Sequence, residues 1–293
     1  MKKCLITGVT GLIGQQVVTL LRKKREIYAL VRKPMDLPSD IHYIRCNLAQ
    51  EWNAELFPGK VDAVIHLAQS EYFREFPTRT EHVFKVNVAS TLRLLEYARK
   101  VEARTFILAS SGGIYGHGDK GFTEDRPIEA KGDLGFYLCT KLCAEVMSEN
   151  YSSFMNILIL RFFFVYGPGQ RTTMLIPRLV KAVKDGRPII LHGREGLKIN
   201  PTYVMDAASA VCRSLELPES HKINVAGPEV LSLRQIGQEI GEVLNREPIF
   251  EVQENMKPHH LVGNIKKMTH FLGPATVRFK EGITKYIEEQ NDR

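Results

Sequence analysis

The chain has 293 residues of ordinary globular composition, enough for one large domain or two modest ones. Lysine and arginine outnumber aspartate and glutamate by 40 to 33, and the net charge of +7 suits an anionic ligand. No apolar run approaches the roughly 20 residues of a membrane span, and five scattered cysteines without a CxxC pair or zinc spacing exclude a disulfide framework. A reducing, cytoplasmic compartment is expected, with no signal peptide ahead of a first strand at residues 3–7.

That strand runs into Thr7-Gly8-Val9-Thr10-Gly11-Leu12-Ile13-Gly14 and then a helix over 12–24. Gly8 permits a tight turn, Gly11 lets backbone approach a pyrophosphate, and Gly14 lets the helix pack against the strand. The helix start then offers free N–H groups and a positive dipole end to an anion. The spacing is TGxxGxxG and differs from the commoner GxGxxG. Further strands are predicted at 26–31, 42–45, 63–67, 105–109 and 156–163, and further helices at 79–101 and 136–151. Strands separated by helices imply an α/β fold, a Rossmann-type doubly wound parallel sheet that binds ligands at its strands' carboxyl ends.

After Tyr166-Gly167-Pro168-Gly169 the texture changes to helical pieces at 174–185, 206–215 and 233–244 between Pro- and Gly-bearing loops. The expected division is a dinucleotide-binding domain over 1–165, with a returning segment near 197–216, and a smaller C-terminal substrate-binding lobe over 166–293. Cys139 and Cys143, four apart on one predicted helix, are expected to be buried and structural.

Tyr137-Leu138-Cys139-Thr140-Lys141 is a YxxxK, and on a helix positions i and i+4 share a face. An ammonium beside a phenol lowers its pKa from about 10, which suits Tyr137 to acid–base work on an alcohol or ketone. Ser111 follows the strand at 105–109, where a hydroxyl can hydrogen-bond a substrate oxygen. His66 at a buried strand end reads as a satisfied core histidine, and neither His117, His192 nor His259-His260 has metal-ligand spacing, so no metal is expected.

In combination, TGxxGxxG, Ser111 and YxxxK resemble the short-chain dehydrogenase/reductase superfamily, and more closely its extended branch, the NAD-dependent epimerase/dehydratase family. Val64-Ile65-His66-Leu67-Ala68-Gln69 is similar to that family's VIHLAA, Asn87-Val88-Ala89-Ser90-Thr91 to its NVxGT, Arg161 through Gln170 to its RxxNVYGPGQ, and Tyr203-Val204-Met205-Asp206 to its YVxD. The resemblance implies that Tyr137 is the acid/base, that Lys141 tunes it and binds the nicotinamide ribose, and that Ser111 polarises the reacting oxygen. It implies that Gly8, Thr10, Gly11, Leu12 and Ile13 hold the pyrophosphate, that Asn47 and Leu48 stand beside the adenine, that Leu67, Ala68 and Gln69 line the cleft, and that Asn87 supports it. It also implies a nucleotide-sugar substrate and a homodimer through a four-helix interface of 79–101 and 136–151.

Departures narrow this expectation. Arg32 stands where NAD enzymes carry an acidic residue for the ribose 2′-hydroxyl, and an arginine there grips a 2′-phosphate, so NADP(H) is preferred, with NAD possible. Gly112-Gly113 replace the Asp-Glu pair of sugar 4,6-dehydratases and cannot support that elimination, though they leave room for a sugar ring. Phe164 replaces an Asn that binds substrate diphosphate, and Lys198, Arg171, Arg178 and Arg194 are the cations near the missing phosphate-binding arginine. Met174, Leu175 and Arg178 resemble the start of the helix that covers the nucleotide base, with Pro177 at its first position.

The expected function is NADPH-dependent reduction of a nucleotide-linked 4-keto sugar. The alternative is a nucleotide-sugar 4-epimerase with tightly bound NAD. A third reading is a non-catalytic dinucleotide- or RNA-binding regulator. The intact Tyr137 and Lys141 and the lack of aromatic–basic interleaving speak against it, so no nucleic-acid partner is expected.

Overall fold

The computed structural model describes residues 1–33, 38–129 and 134–291. In chain order its elements are β1 (Lys3–Thr7), α1 (Leu12–Leu21), β2 (Glu26–Val31), β3 (Ile41–Arg45), β4 (Ala63–His66), α2 (Thr80–Phe84), α3 (Ser90–Lys100), β5 (Thr105–Ser111), α4 (Phe136–Glu149) and β6 (Asn156–Phe162). They continue as β7 (Val165–Tyr166), α5 (Leu175–Lys184), β8 (Ile189–His192), β9 (Lys198–Ile199), β10 (Thr202–Tyr203), α6 (Val204–Ser214), β11 (His221–Val225), β12 (Leu231–Ser232), α7 (Leu233–Leu244), β13 (Phe250–Gln253), α8 (Lys266–Leu272) and α9 (Phe279–Asn291).

Seven strands form one sheet in the order β11-β6-β5-β4-β1-β2-β3, and the pairs from β3 through β5 run parallel. β4 and all but the last residue of β5 are buried throughout, so residues 63–65 and 106–109 read as apolar runs covered on both faces. The strand order reverses on either side of β1, which makes the carboxyl ends of β1 and β4 the topological switch where such sheets bind ligands.

The chain divides into two units: Met1–Ile114, Ile128–Arg161 and Ala208–Ile223 make the first, and Tyr115–Pro127, Phe162–Ala207 and Asn224–Arg293 the second. Leu5, Val64, Leu94, Phe106 and Ile157 centre the first unit's core. The second unit has only short ribbons, β7 with β10, β9 with β12, and β8 with β13. Side chains stitch its remaining backbone together: Asn224 Nδ2 donates to Phe122 O at 2.9 Å, and Asn200 Oδ1 accepts from Gly263 N at 2.8 Å.

Three local expectations change. The helix expected over 79–101 is divided by a π-helical turn, Lys85–Ala89, between α2 and α3. Ser90 and Thr91 hydroxyls donate back to the carbonyls of Val86 and Asn87 at this turn, at 2.6 and 2.8 Å. The helix expected over 12–24 stops at Leu21, and Arg25 turns inward to pair with Glu216 at 2.5 Å. Cys143 is exposed and Cys139 half-buried, because Lys141, Ala144, Glu145 and Ser148 take the inward face of α4.

Candidate active site

The site begins where β1 ends. Gly8 has φ +72°, and a Cβ there would sit 2.6 Å from Ala68 N, so the turn closes against the end of β4. A Cβ on Gly14 would lie 2.0 Å from Gly8 O, which is how closely α1 packs on the turn. α1 starts after Gly11 with no side-chain cap, leaving its first N–H groups without intrahelical acceptors. Leu12 and Ile13 are half-buried there, while Thr10 is exposed and its carbonyl accepts from Gln15 Nε2 at 3.2 Å. A backbone cradle of unpaired donors with no room for side chains fits a pyrophosphate.

Hydrogen bonds lock the adjoining strand ends together. Thr7 Oγ1 lies 2.7 Å from His66 Nδ1 and accepts from Ala68 N at 3.1 Å, and His66 Nε2 lies 3.0 Å from Thr91 Oγ1. Burial pushes the His66 imidazole down to about 3, so it is the neutral core histidine the sequence implies.

α4 carries the titrating pair. Tyr137 Oη donates to Gln69 Oε1 at 2.8 Å, its ring lies 5.1 Å from that of Phe73, and Lys141 Nζ sits 5.9 Å from its centroid. Lys141 is buried, donates to Ala109 O at 2.8 Å, and is lowered by burial to about 8, with Glu145 opposing that shift. Burial raises the Tyr137 phenol above its ordinary range. Burial is the cause of that rise and opposes the direction expected from YxxxK alone, while the Lys141 ammonium is bonded to Ala109 O.

Ser111 ends β5, and its Oγ accepts from Gly113 N at 3.1 Å. Gly112 is buried, and a Cβ on Gly113 would meet Leu138 Cδ2 at 2.9 Å, so the second glycine is where the helix carrying Tyr137 closes on the strand end. Asn87, in the π-helical turn, accepts from Ser70 N at 2.9 Å and donates to Thr140 Oγ1 at 3.0 Å. It therefore ties the strand loop bearing Gln69 to the helix bearing Tyr137, and acts through them. Leu67 and Ala68 begin that loop, half-buried, beside Gly8.

Two carboxylates were absent from the sequence reading. Glu145 stands one turn beyond Lys141 and forms a buried ion pair with Arg161 of β6, Nη2 to Oε2 at 2.7 Å, both side chains 2% exposed. Extending YxxxK by one more i+4 step would have found it. Glu71 pairs with Arg32, just after β2, and no local pattern signals a partner 39 residues away. Asn47 follows β3 and accepts from Ala49 N at 3.1 Å, while Leu48 is buried in the core. Among the described residues no group of three or more His, Cys, Asp or Glu could hold a metal ion.

The remaining predicted residues belong to the second unit. Phe164 has φ +39°, a left-handed conformation costly for a bulky side chain, and its carbonyl accepts from Thr202 N at 3.1 Å. Met174 caps α5, Leu175 opens it, and Arg178 is exposed. Pro177 therefore stands third in the helix instead of first. Lys198 is exposed on β9, with its backbone N–H bonded to His260 Nδ1 at 3.0 Å.

A Rossmann sheet with a glycine turn, a strand-end serine and a helix-borne Tyr–Lys pair defines an enzyme of the extended short-chain dehydrogenase/reductase class. The chain belongs to the NAD dependent epimerase/dehydratase family, whose model matches residues 4–226. It is 28% identical to the "uncharacterized UDP-glucose epimerase YtcB" of Bacillus subtilis, over 97% of this chain and 96% of that one. It is 29% identical to a UDP-glucuronate 4-epimerase of Thermodesulfobacterium geofontis, over 79% of this chain and 77% of the relative. Among solved structures, MoeE5 in complex with UDP-glucuronic acid and NAD superposes with a TM-score of 0.86 at 26% identity, covering 99% of both chains.

Proposed function

We propose that this protein is a nucleotide-sugar 4-epimerase that uses NAD, with a UDP-linked hexose or hexuronic acid as substrate. The observation that carries the reading is an intact Ser111, Tyr137 and Lys141 set beside two glycines, Gly112 and Gly113, where elimination chemistry needs acids. Net reduction with NADPH, the first expectation from the sequence, rested on Arg32. That arginine is engaged by Glu71, and the solved relative MoeE5 carries NAD.

In this reading the first unit takes the dinucleotide. The backbone of Gly8 to Ile13 holds the pyrophosphate and Lys141 the nicotinamide ribose, and when bound NAD supplies the hydride acceptor for the sugar's C4. Tyr137 would take the 4-hydroxyl proton as C4 gives up its hydride; the 4-keto sugar would then turn over, so that the hydride returns to the other face of C4 while Tyr137 gives the proton back to the oxygen that Ser111 Oγ hydrogen-bonds. Because burial raises Tyr137, its phenolate depends on adjacent positive charge, and Lys141 provides it below pH of about 8. The second unit takes the nucleotide: Arg178 and Lys198 offer exposed cations for the diphosphate, with Met174 and Leu175 against the base. Exposed Leu92 on α3 and Val146 on α4 offer apolar surface to a second copy, and the free cysteines suit a reducing, cytoplasmic compartment.

The test is incubation of the purified protein with UDP-glucose and with UDP-glucuronic acid, without added cofactor, with the 4-epimers resolved by anion-exchange chromatography. Appearance of the galacto epimer supports the reading. No epimer, together with NADPH oxidation on a nucleotide 4-keto sugar, replaces it with the reductase.

A further inference from the structure

Arg32 leaves a puzzle. An arginine just after β2 is suited to a 2′-phosphate, yet the relatives that share this fold over the full chain include one holding NAD. Its surroundings answer it. β1 lies between β2 and β4, with Ile6 opposite Ala29 on one side and Ile65 on the other. Neighbouring strands stand about 4.8 Å apart, so the ends of β2 and β4 are separated by about 10 Å. Arg32 reaches from one end and Glu71 from the loop after the other, and their side chains meet. The ion pair therefore spans the carboxyl end of β1, where Gly8 opens the turn.

Glu71 is held in place. Its neighbour Ser70 is buried, with its N–H on Asn87 Oδ1 at 2.9 Å and its hydroxyl 2.9 Å from His82 Nδ1. On the other side Tyr72 N donates to the same Ser70 hydroxyl at 3.2 Å. The backbone on both sides of Glu71 is thus fixed, and the carboxylate is presented toward β2 by construction.

We propose that Glu71 sets the choice between NAD and NADP by holding Arg32 in this ion pair. The proposal rests on the reading that the first unit binds a dinucleotide. A 2′-phosphate approaching Arg32 must displace a carboxylate already bonded to it, or lie against that carboxylate's negative charge. A 2′-hydroxyl meets neither obstacle, and it finds a carboxylate able to accept its hydrogen bond, the role an acidic residue at the end of β2 fills in other NAD enzymes. The Arg32 side chain is 56% exposed and that of Glu71 28%, so water screens the pair and its effect is a graded selectivity.

Isothermal titration of NAD and NADP into the wild type, Glu71→Gln, Arg32→Ala and the double variant, each first freed of co-purified nucleotide, tests this. The wild type is expected to favour NAD. Glu71→Gln is expected to shift the ratio of the two dissociation constants about tenfold toward NADP, by freeing Arg32 for the phosphate. In the double variant that shift is expected to vanish. A ratio in Glu71→Gln within twofold of the wild type overturns the proposal, and so does a shift that persists without Arg32. Wild-type protein that binds neither nucleotide overturns the dinucleotide reading itself, a result separate from a failed change in selectivity.

Discussion

The two units bury polar side chains of different kinds. Among the described residues, every buried charged or imidazole side chain belongs to the first unit: Arg25, His66, Lys141, Glu145 and Arg161. The second unit's buried polar side chains are Asn200, Thr202, Asn224 and Ser232, all neutral. The architecture explains the neutral set. Two-residue ribbons leave much backbone without a ladder, and amides and hydroxyls supply the missing partners, as when Asn224 serves both Phe122 O and Tyr115 Oη. A buried ion costs several kcal/mol before pairing, and no such closure requires one. The ions of α4 serve differently: Glu145 pairs with Arg161, and Lys141 bonds Ala109 O with its ammonium 5.9 Å from the Tyr137 ring centroid.

That contrast breaks first at Tyr137. Replacement by Phe is expected to lower kcat by about 10²–10⁴-fold, the usual worth of a general acid/base, with little change in melting temperature. A variant retaining more than a tenth of wild-type turnover would remove Tyr137 from the chemistry. Next is Glu145→Gln, which strips the carboxylate from a buried arginine and is expected to cost about 3–5 kcal/mol in chemical denaturation. Glu145 also raises Lys141 against the burial that lowers it, so the wild-type alkaline limb of kcat is expected near pH 8 and the same change should move it lower. If stability falls while the limb stays put, the buried pair is purely architectural. The double variant Glu145→Met with Arg161→Met separates the effects, since an apolar pair restores stability without restoring the limb.

His66 sharpens the comparison through pH. Its folded value near 3 lies below the ordinary 6.5, so the unfolded chain binds a proton that the folded chain refuses. Its contribution is complete above pH of about 6.5 and is lost as pH falls toward about 3, at up to about 1.4 kcal/mol per pH unit. Urea unfolding at pH 7 and 5 should show that slope, flattened in His66→Gln. An equal slope in the variant would assign the acid sensitivity to other groups.

The same division governs what was legible. β1 and β2 fall at residues 3–7 and 26–31, where the sequence reading puts them, because strands buried on both faces announce themselves as apolar runs. The glycine turn was legible for a related reason: only glycine fits where a Cβ meets backbone at 2.0 Å. The burial around Tyr137 was not legible, because spacing reveals a neighbouring charge but not the burial that opposes it. Glu71 was invisible because its partner comes from another strand end. In the second unit, β7, β9 and β10 are two-residue strands, too short to carry a period. Their form depends on tertiary partners such as Asn200 and Asn224.

Ser232 gives the smallest and cleanest contrast. It caps α7 in a capping box, accepting from Gln235 N at 3.1 Å while Gln235 Oε1 accepts from Ser232 N at 2.9 Å, and its hydroxyl donates to Glu195 Oε2 at 2.8 Å. Ser232→Ala removes the side-chain half of that box and should cost about 1 kcal/mol, read as a lower denaturation midpoint with an unchanged slope. Because the bonds lost lie on a helix start of the second unit, kcat and its pH limbs should not move. Movement of the alkaline limb in this variant would mean that the second unit's polar interior also sets the state of Lys141, and the division between the two units would fail.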